Sequence, residues 1–248
     1  MKIAVCLKQV PSTETRIKIA ADGKHIDPGG VTLVTNPYDE FALEEAIRIK
    51  EARGGEVVAV SAGGSGAVTA LRNALAVGAD SAVLLKTDGD LDSLGTARLL
   101  AAEIGGRGFD LVLCGKQAVD DDGAQVGPML AELLDLPCVT VVVKLEVGEG
   151  KARATREIEG GVEIVELPLP AVVSAQKGLN DPRYASLKGI MAAKKKPVEE
   201  KPVMAPPELV EIASLSLPPA RQAGKIVGEG ASAVPELVRL LREEAKVI

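Results

Sequence analysis

Histidine, tryptophan and cysteine are scarce in this 248-residue chain, and each shortage excludes a kind of site. The only histidine is His25, so a multi-histidine metal centre or a histidine-based catalytic triad cannot be assembled. Tryptophan is absent, and the aromatic residues are only Tyr38, Phe41, Phe109 and Tyr184. Four rings are too few for a base-stacking surface.

The three cysteines also exclude sites, because their spacing fits neither a zinc centre nor a disulfide framework. Cys6, Cys114 and Cys138 lie far apart and form no CxxC pair. Isolated cysteines in apolar stretches are usually small core residues. We therefore expect a reducing compartment, the cytoplasm, and no metal site.

Neither a membrane nor a nucleic acid is an expected partner. There is no run of about 18 apolar residues, and a strand-like pattern beginning at Lys2 leaves no room for a secretion signal. Asp and Glu number 35 against 29 Lys and Arg, a net charge of −6, which disfavours binding to a phosphate backbone.

The first half of the chain alternates short apolar runs with helical patterns. Strands are predicted at 2–9, 56–62, 81–86 and 109–115. They are almost continuously apolar, as in parallel sheets covered on both faces. Helices are predicted between them, at 37–53, 65–77, 94–104 and from about Asp122 to before Pro137. This order predicts an α/β fold with a doubly wound, mostly parallel, Rossmann-like sheet of the adenine-nucleotide-binding type.

Four segments depart from this alternation. Residues 16–34 read as a hairpin that turns at Asp22-Gly23 and carries an exposed His25. Residues 139–167 read as antiparallel strands with a turn at Gly160-Gly161, followed by a buried strand at 170–175. Six prolines in 197–219 exclude a regular helix or a central strand. That segment is nevertheless apolar, so we expect an extended arm that lies on a partner, followed by an amphipathic helix at 235–248.

Polar or glycine-rich clusters follow the predicted strands at the edge where such sheets bind ligands. The clusters are Cys6-Leu7-Lys8, Asn36–Asp39, Ser61–Gly64 and 115–127. For Asn36–Asp39, helix capping is a sufficient explanation, with Asn36 as N-cap and Pro37 at N1, and contact with a nucleotide is the alternative. Gly63-Gly64-x-Gly66 resembles a phosphate turn, but it lacks the full GxGxxG pattern.

The 115–127 loop gives the strongest local signal. Its glycines permit close backbone approach, and the helix after it offers unpaired N–H groups. Asp120, Asp121 and Asp122 would repel a phosphate, so we expect the anion on the N–H groups of 123–126, with these carboxylates turned away or toward sugar hydroxyls. Capping of the helix is the alternative for the three aspartates. No nucleophile, base and orienting group can be combined, so the residues favour a nucleotide holder over an enzyme.

These clusters, in this order, resemble the beta subunit of electron transfer flavoprotein over nearly the whole chain. The matching motifs are NPYDEFALEEAIRIKE (36–51), LVLCGKQAVDDDGAQVG (111–127), AxRExEGGxExVxxxxPAVV (154–173), LNDPRYASLKGIMAAKKK (179–196) and PPARQAG (218–224). The resemblance implies a heterodimer with an alpha subunit that holds most of the redox FAD, and a structural AMP in this chain. It also implies electron flow from acyl-CoA dehydrogenases and related flavin dehydrogenases, as in fatty acid beta-oxidation, to a membrane quinone oxidoreductase.

The resemblance also assigns residues and regions. It divides the chain into a nucleotide-binding domain (1–183), a partner-recognition segment (184–196) and an arm with a helix that wraps the alpha subunit (197–248). In the recognition segment Leu187 is the implied apolar anchor, with Tyr184, Ile190 and Met191 beside it; without the family, a core position in a short helix is the simpler explanation for Leu187. The implied AMP contacts are Cys6, Asn36, Pro37, Tyr38, Asp39, Ala62, Gly115, Lys116, Gln117, Ala118, Val119, Asp120, Asp121, Asp122, Gly123, Ala124, Gln125 and Val126.

Alternatives remain at this point. Ala124 and Val126 offer no polar side chain where the family often has one, and bifurcating relatives hold a second FAD in place of AMP. A stand-alone adenine-nucleotide-binding regulatory module could share the same sheet, although it has no use for an apolar arm. An NAD-dependent enzyme would need the GxGxxG pattern and catalytic side chains.

Overall fold

A computed structural model describes residues 1–220 and 223–248, and its strands alternate with helices as the sequence predicts. The strands are β1 (Lys2–Cys6), β2 (Gln9–Pro11), β3 (Leu33–Thr35), β4 (Glu56–Gly63), β5 (Ser81–Lys86), β6 (Leu111–Gly115), β7 (Cys138–Val147), β8 (Lys151–Ile158), β9 (Gly161–Pro168), β10 (Ala171–Ala175) and β11 (Val198–Pro202). The helices are α1 (Pro37–Arg53), α2 (Val68–Val77), α3 (Ser93–Ile104), α4 (Val126–Leu134), α5 (Leu187–Ala193) and α6 (Val234–Glu243).

One large sheet has the order β11-β5-β4-β1-β6-β10-β7-β8-β9. From β11 to β7 all neighbours are parallel, whereas β7, β8 and β9 pair antiparallel. The chain builds outward from β1 through β4 to β5, then returns to place β6 on the other side of β1. The order of the strands therefore reverses between β1 and β6, which is where ligands bind in open α/β sheets.

Helices cover both faces of this sheet, which explains the continuously apolar strands. Ile3, Val5 and Leu113 point to the face covered by α1 and α2. Ala4 and Val112 point to the opposite face, covered by α3 and α4. Two apolar layers thus enclose the parallel strands, and the predicted doubly wound α/β fold is confirmed.

The predicted start of the fourth helix is wrong. Helix α4 begins at Val126, four residues after Asp122. Asp122 and Ala124 have φ angles of 50° and 53°, in the left-handed region, which a right-handed helix cannot contain. Residues 116–125 therefore form a loop at the carboxyl end of β6.

The insertion after β1 is a long hairpin-like excursion, as predicted, although its paired strands lie at its base. Strands β2 and β3 pair antiparallel there, and a single bridge joins Ile19 to Ile26. The tip turns at the predicted position, where the amide of Gly23 donates to the carbonyl of Ala20. His25 lies at this tip, half-exposed.

The proline-rich segment begins with a strand. Residues Val198–Pro202 pair with β5 at the edge of the large sheet, where proline at the strand's end removes no internal hydrogen bond. Beyond Val203 the segment is extended, and most of its large apolar side chains are exposed. Helix α6 is shorter than the predicted 235–248, because it ends at Glu243. Two residues of the PPARQAG motif, 221 and 222, lie outside the described residues.

In the described residues, no helix combines the length and apolar character needed to cross a membrane.

Candidate functional site

A cavity of about 510 Å³ opens at the carboxyl ends of β1, β4 and β6, where the order of the strands reverses. Its volume lies in the range of roughly 300–1,000 Å³ that is typical of small-molecule sites. Cys6, Ala62 and Cys114 line it from three neighbouring strands. Burial, together with the charge of Asp39, raises the pKa of the Cys6 thiol to about 12. Burial also raises the pKa of Cys114, so these thiols are poor nucleophiles.

The side chain of Asp39 ties the first turn of α1 to the strands below it. Its two oxygens accept from the backbone amides of Lys8, at 2.7 Å, and Gly115, at 2.9 Å. The side chain is almost fully buried, and burial raises the pKa of Asp39 to about 7, although both amides favour the ionised form. Asp39 therefore fixes the spacing of three elements around the cavity.

Asn36 occupies the N-cap position of α1, but its side chain does not cap the helix. Its Nδ2 donates to the carbonyl of Gln117 at 2.9 Å, and its Oδ1 accepts from the amide of Val119 at 3.2 Å. The expected capping bond is thus replaced by two bonds to the loop after β6. These bonds shape the loop that the sequence identified as the strongest signal.

The three consecutive aspartates do not cap α4 either. Lys8 Nζ lies 2.9 Å from Asp120 and 2.8 Å from Asp121, while Asp122 accepts from Gln117. Burial alone would lower the pKa of Lys8, but its bonds to Asp121 and Asp120 outweigh burial and raise it. One ammonium group therefore binds two of the carboxylates and offsets part of their negative charge.

An anion in the cavity would have to rely on main-chain N–H groups. The amide of Gly123 already donates to Asp121 at 2.9 Å, so it contributes less than the sequence suggested. The first turn of α4, beginning at Val126, leaves its N–H groups without helical partners and carries the positive end of the helix dipole. Val126 and Gln125, immediately before it, line the cavity.

Sequence reasoning missed one wall of the cavity. The turn after β5 and the start of α3 contribute Asp90, Ser93 and Thr96. A signal was present, because Thr87–Asp92 is a polar, glycine-containing cluster after the third predicted strand. Gly63, Gly64 and Gly66, noted only as a weak phosphate turn, also line the cavity.

His25 reaches this missed wall from the insertion. Its Nδ1 lies 2.6 Å from Asp22 and its Nε2 lies 3.0 Å from Asp90. The pKa of His25 is raised, mainly by its hydrogen bond to Asp22 and next by its hydrogen bond to Asp90. The histidine expected to be simply exposed thus joins two loops beside the cavity.

The structure brings most of the predicted nucleotide contacts together. Those that line the cavity are Cys6, Asn36, Asp39, Ala62, Gly115, Lys116, Gln117, Ala118, Asp121, Gly123, Ala124, Gln125 and Val126. Pro37, Tyr38, Val119, Asp120 and Asp122 lie around it without lining it. In the described ranges, 1–220 and 223–248, no group of three His, Cys, Asp or Glu side chains is arranged to hold a metal ion.

The predicted recognition residues form a separate exposed surface on and before α5. Tyr184 is 98% exposed, Leu187 79%, Met191 57% and Ile190 44%. Leu187 is therefore not the core residue that the simpler explanation predicts. Four large apolar or aromatic side chains in eight residues are an unusual surface for a monomer.

Comparison with known proteins matches the electron transfer flavoprotein domain to residues 25–206. The chain is 46% identical to a protein of Bacillus subtilis (strain 168) named electron transfer flavoprotein subunit beta, with all of both chains covered. It is 44% identical to the protein of the same name from Syntrophomonas wolfei, over all of this chain and 98% of that one. It is 39% identical, over the whole of both chains, to the protein of Arabidopsis thaliana named electron transfer flavoprotein subunit beta, mitochondrial.

The chain belongs to the electron transfer flavoprotein family, as a member of its beta subunits. The family resemblance seen in the sequence is thereby confirmed.

Proposed function

We propose that this chain is the AMP-containing half of a heterodimeric electron carrier. Its partner is an electron transfer flavoprotein alpha subunit, which holds most of the FAD. The complex takes electrons from acyl-CoA dehydrogenases and related flavin dehydrogenases and delivers them to a quinone oxidoreductase. The names of the relatives support the subunit and the partner. We propose that this chain is not itself an enzyme, and that it works in a reducing compartment, the cytoplasm.

The proposal that this chain binds a nucleotide rests on the cavity at the point where the order of the strands reverses. Its floor of Cys6, Ala62 and Cys114 is weakly polar, which suits a purine ring, while the first turn of α4 supplies N–H groups for a phosphate. Asp39, Asp90 and Asp121 bring carboxylates to the lining, where sugar hydroxyls can donate to them. An adenosine monophosphate fits this combination of donors and acceptors.

A second FAD is the alternative for the same cavity. FAD contains a whole AMP unit, so the α4 end of the site would hold it equally well. The contact between His25 and Asp90 places the insertion beside the cavity, although His25 itself does not line it. The nucleotide that the protein retains distinguishes the two ligands.

Release of the ligand by denaturation tests this proposal. The native heterodimer is purified and denatured, and its nucleotides are separated by chromatography and quantified per dimer. We expect equal amounts of AMP and FAD. Two FAD per dimer without AMP would identify the bifurcating type, and no adenylate beyond one FAD would refute a nucleotide in this subunit.

The dehydrogenase is proposed to bind the exposed side chains of the 184–196 segment. Leu187 is the proposed anchor, because it is highly exposed on α5 and lies between the exposed side chains of Tyr184 and Ile190. Burial of one leucine at an interface contributes about 1.5–3 kcal/mol, which is enough for a transient encounter. Leu187→Ala is therefore expected to slow electron transfer from the dehydrogenase without changing the FAD content.

A further inference from the structure

We infer that Arg183 and Arg72 are positioning residues, which hold the two ends of the 184–196 segment so that its apolar side chains meet a dehydrogenase in a preformed arrangement. This inference rests on the proposed function of that segment. It assigns a role to two arginines whose guanidinium groups bind inside this chain.

The first anchor is Arg183, immediately before the segment, which binds two glutamates of helix α1. Arg183 Nε and Nη2 donate to the carboxylate of Glu44 at 2.8 and 3.1 Å, and Nη1 and Nη2 donate to that of Glu51 at 2.6 and 2.9 Å. The backbone amide of Arg183 also donates to Glu44, at 3.2 Å. Burial opposes ionisation of Glu44, but Arg183 and Arg48 outweigh it and lower its pKa. Two forked ion pairs to one guanidinium define both its position and its orientation.

Neighbouring residues extend this anchor along the same face of α1. Arg48 Nη2 donates to the carbonyl of Asp181 at 3.2 Å. Asn180 Nδ2 donates to the carbonyl of Phe41 at 3.0 Å and to Glu45 at 2.9 Å. The chain is thus fixed at three positions before it reaches Tyr184.

The second anchor lies at the other end, on helix α2. Arg72 Nη1 donates to the carbonyls of Ala193 and Lys196, each at 2.8 Å. Ala193 is the last residue of α5 and Lys196 lies three residues beyond it, so Arg72 binds carbonyls where the helix ends. Between the anchors, Gly189 lies so close to α2 that a Cβ there would overlap the carbonyl oxygen of Ala76.

Anchoring at both ends has a specific effect on binding. The four exposed side chains have few contacts of their own to hold them, so their arrangement depends on the backbone. A segment ordered before the encounter does not lose conformational freedom during it, which strengthens binding without adding a contact. The arginines should therefore control the apparent affinity for the dehydrogenase and leave the flavin unaffected.

Steady-state kinetics of the FAD-loaded heterodimer test this role, with reduced acyl-CoA dehydrogenase from the same organism as donor and the heterodimer as varied substrate. The variants are Arg183→Gln, Arg183→Lys and Arg72→Gln. Leu187→Ala tests the surface itself, and Arg98→Gln, at an exposed position of α3, is the control. We expect Arg183→Gln and Arg72→Gln to raise KM about tenfold with kcat within about twofold. Arg183→Lys should rescue part of the loss, while Arg98→Gln and the FAD content stay unchanged.

The outcomes distinguish the positioning role of the arginines from the docking role of the segment. If Leu187→Ala raises KM while Arg183→Gln and Arg72→Gln have normal KM values, the positioning role of the arginines is refuted. The docking surface is then still supported. An unchanged KM for all of them refutes the docking surface, and with it this part of the proposed function. If the arginine variants lose kcat or FAD content at the same time as their KM rises, the role of these arginines is merely structural.

A second substitution covers the case in which Arg183→Gln does not fold, since it leaves the buried Glu44 with fewer partners. Glu51→Gln removes only the half-exposed carboxylate of the clamp. We expect a smaller rise in KM with an unchanged melting temperature. A KM equal to that of the parent in this variant and in Arg72→Gln overturns the proposal.

Discussion

At the scale of single residues, Asp39 shows how a predicted ligand contact can also be a structural support. Its carboxylate lines the cavity and accepts hydrogen bonds from two backbone amides, that of Lys8 after β1 and that of Gly115 at the end of β6. An asparagine in the same place would offer one oxygen and one NH₂ group. One of the two amides would then face a donor, and an unsatisfied buried group of this kind costs about 1–3 kcal/mol.

The stability cost of Asp39→Asn should depend on pH. The pKa of Asp39 is raised to about 7 by burial, whereas an unfolded aspartate titrates near about 3.9. Between these values the folded chain keeps a proton that the unfolded chain has lost, so the contribution of Asp39 to the free energy of unfolding falls as pH rises. We expect Asp39→Asn to be most destabilising below about pH 4, progressively less so as pH rises, and least so above about pH 7. Denaturant unfolding at pH 5 and pH 8 measures the difference.

Asp110→Asn is the matched control for this measurement. Asp110 is exposed and also accepts a backbone amide, that of Lys2, at 2.7 Å. Its substitution should cost little, because the side chain is exposed. An equal cost of Asp39→Asn at pH 5 and pH 8 would contradict the role of burial.

At the scale of elements, the contact between α1 and the end of β6 depends on a glycine. A Cβ at Gly115 would lie 2.7 Å from the Cβ of Tyr38 and 2.8 Å from the amide nitrogen of Asp39. Backbone and Cβ atoms cannot move aside as flexible side chains can. Gly115 thus sets the closest approach of two elements that line the cavity.

Gly115→Ala is therefore expected to separate α1 from β6 and to abolish retention of the proposed adenylate. The free energy of unfolding should fall by about 1–3 kcal/mol, the usual cost of overpacking. Gly161→Ala, at the start of β9 and away from the cavity, is the control, since nothing lies within 4 Å of a Cβ there. Adenylate per dimer and denaturant unfolding are measured for both, and normal adenylate in Gly115→Ala would refute the steric argument.

The helices and strands of the parallel sheet are also the features that the sequence predicted best. The parallel strands and their helices follow directly from continuous apolar runs, so the sheet and the edge that carries the site could be predicted. The start of α4 could not, because Ala124 adopts a left-handed backbone conformation that its residue type does not indicate. The bonds of Asn36 to the 115–126 loop and of His25 to Asp90 depend on long-range contacts, which a local pattern does not contain.

At the scale of the whole molecule, the arm beyond β11 carries much of the exposed apolar surface. Met204 is 90% exposed, and Leu209, Val210 and Leu217 are each exposed by well over half. A monomer would gain nothing from such a surface, so it favours a heterodimer over a stand-alone regulatory module.

Removal of residues 205–248 is expected to abolish association with the alpha subunit while the sheet remains folded. The truncation keeps β11, which pairs with β5, and leaves all the strands in place. Co-purification with a tagged alpha subunit measures association, and circular dichroism of the truncated chain shows whether it folds. A stable heterodimer formed by the folded, truncated chain would refute the role of the arm.

The pairing of β5 with β11 has a consequence for how the protein is made. Translation at about 5–20 residues per second needs roughly 5–20 s for the hundred or so residues between these two strands. During that time β5, with its apolar Val83 and Leu85, borders the nascent sheet without its neighbour. When β11 arrives, its Glu199, Glu200 and Lys201 give the finished border charged residues that discourage pairing with other chains. The ribosome-bound chain is therefore most prone to aggregate before residue 202 emerges, and a folding chaperone would have its greatest effect in that interval.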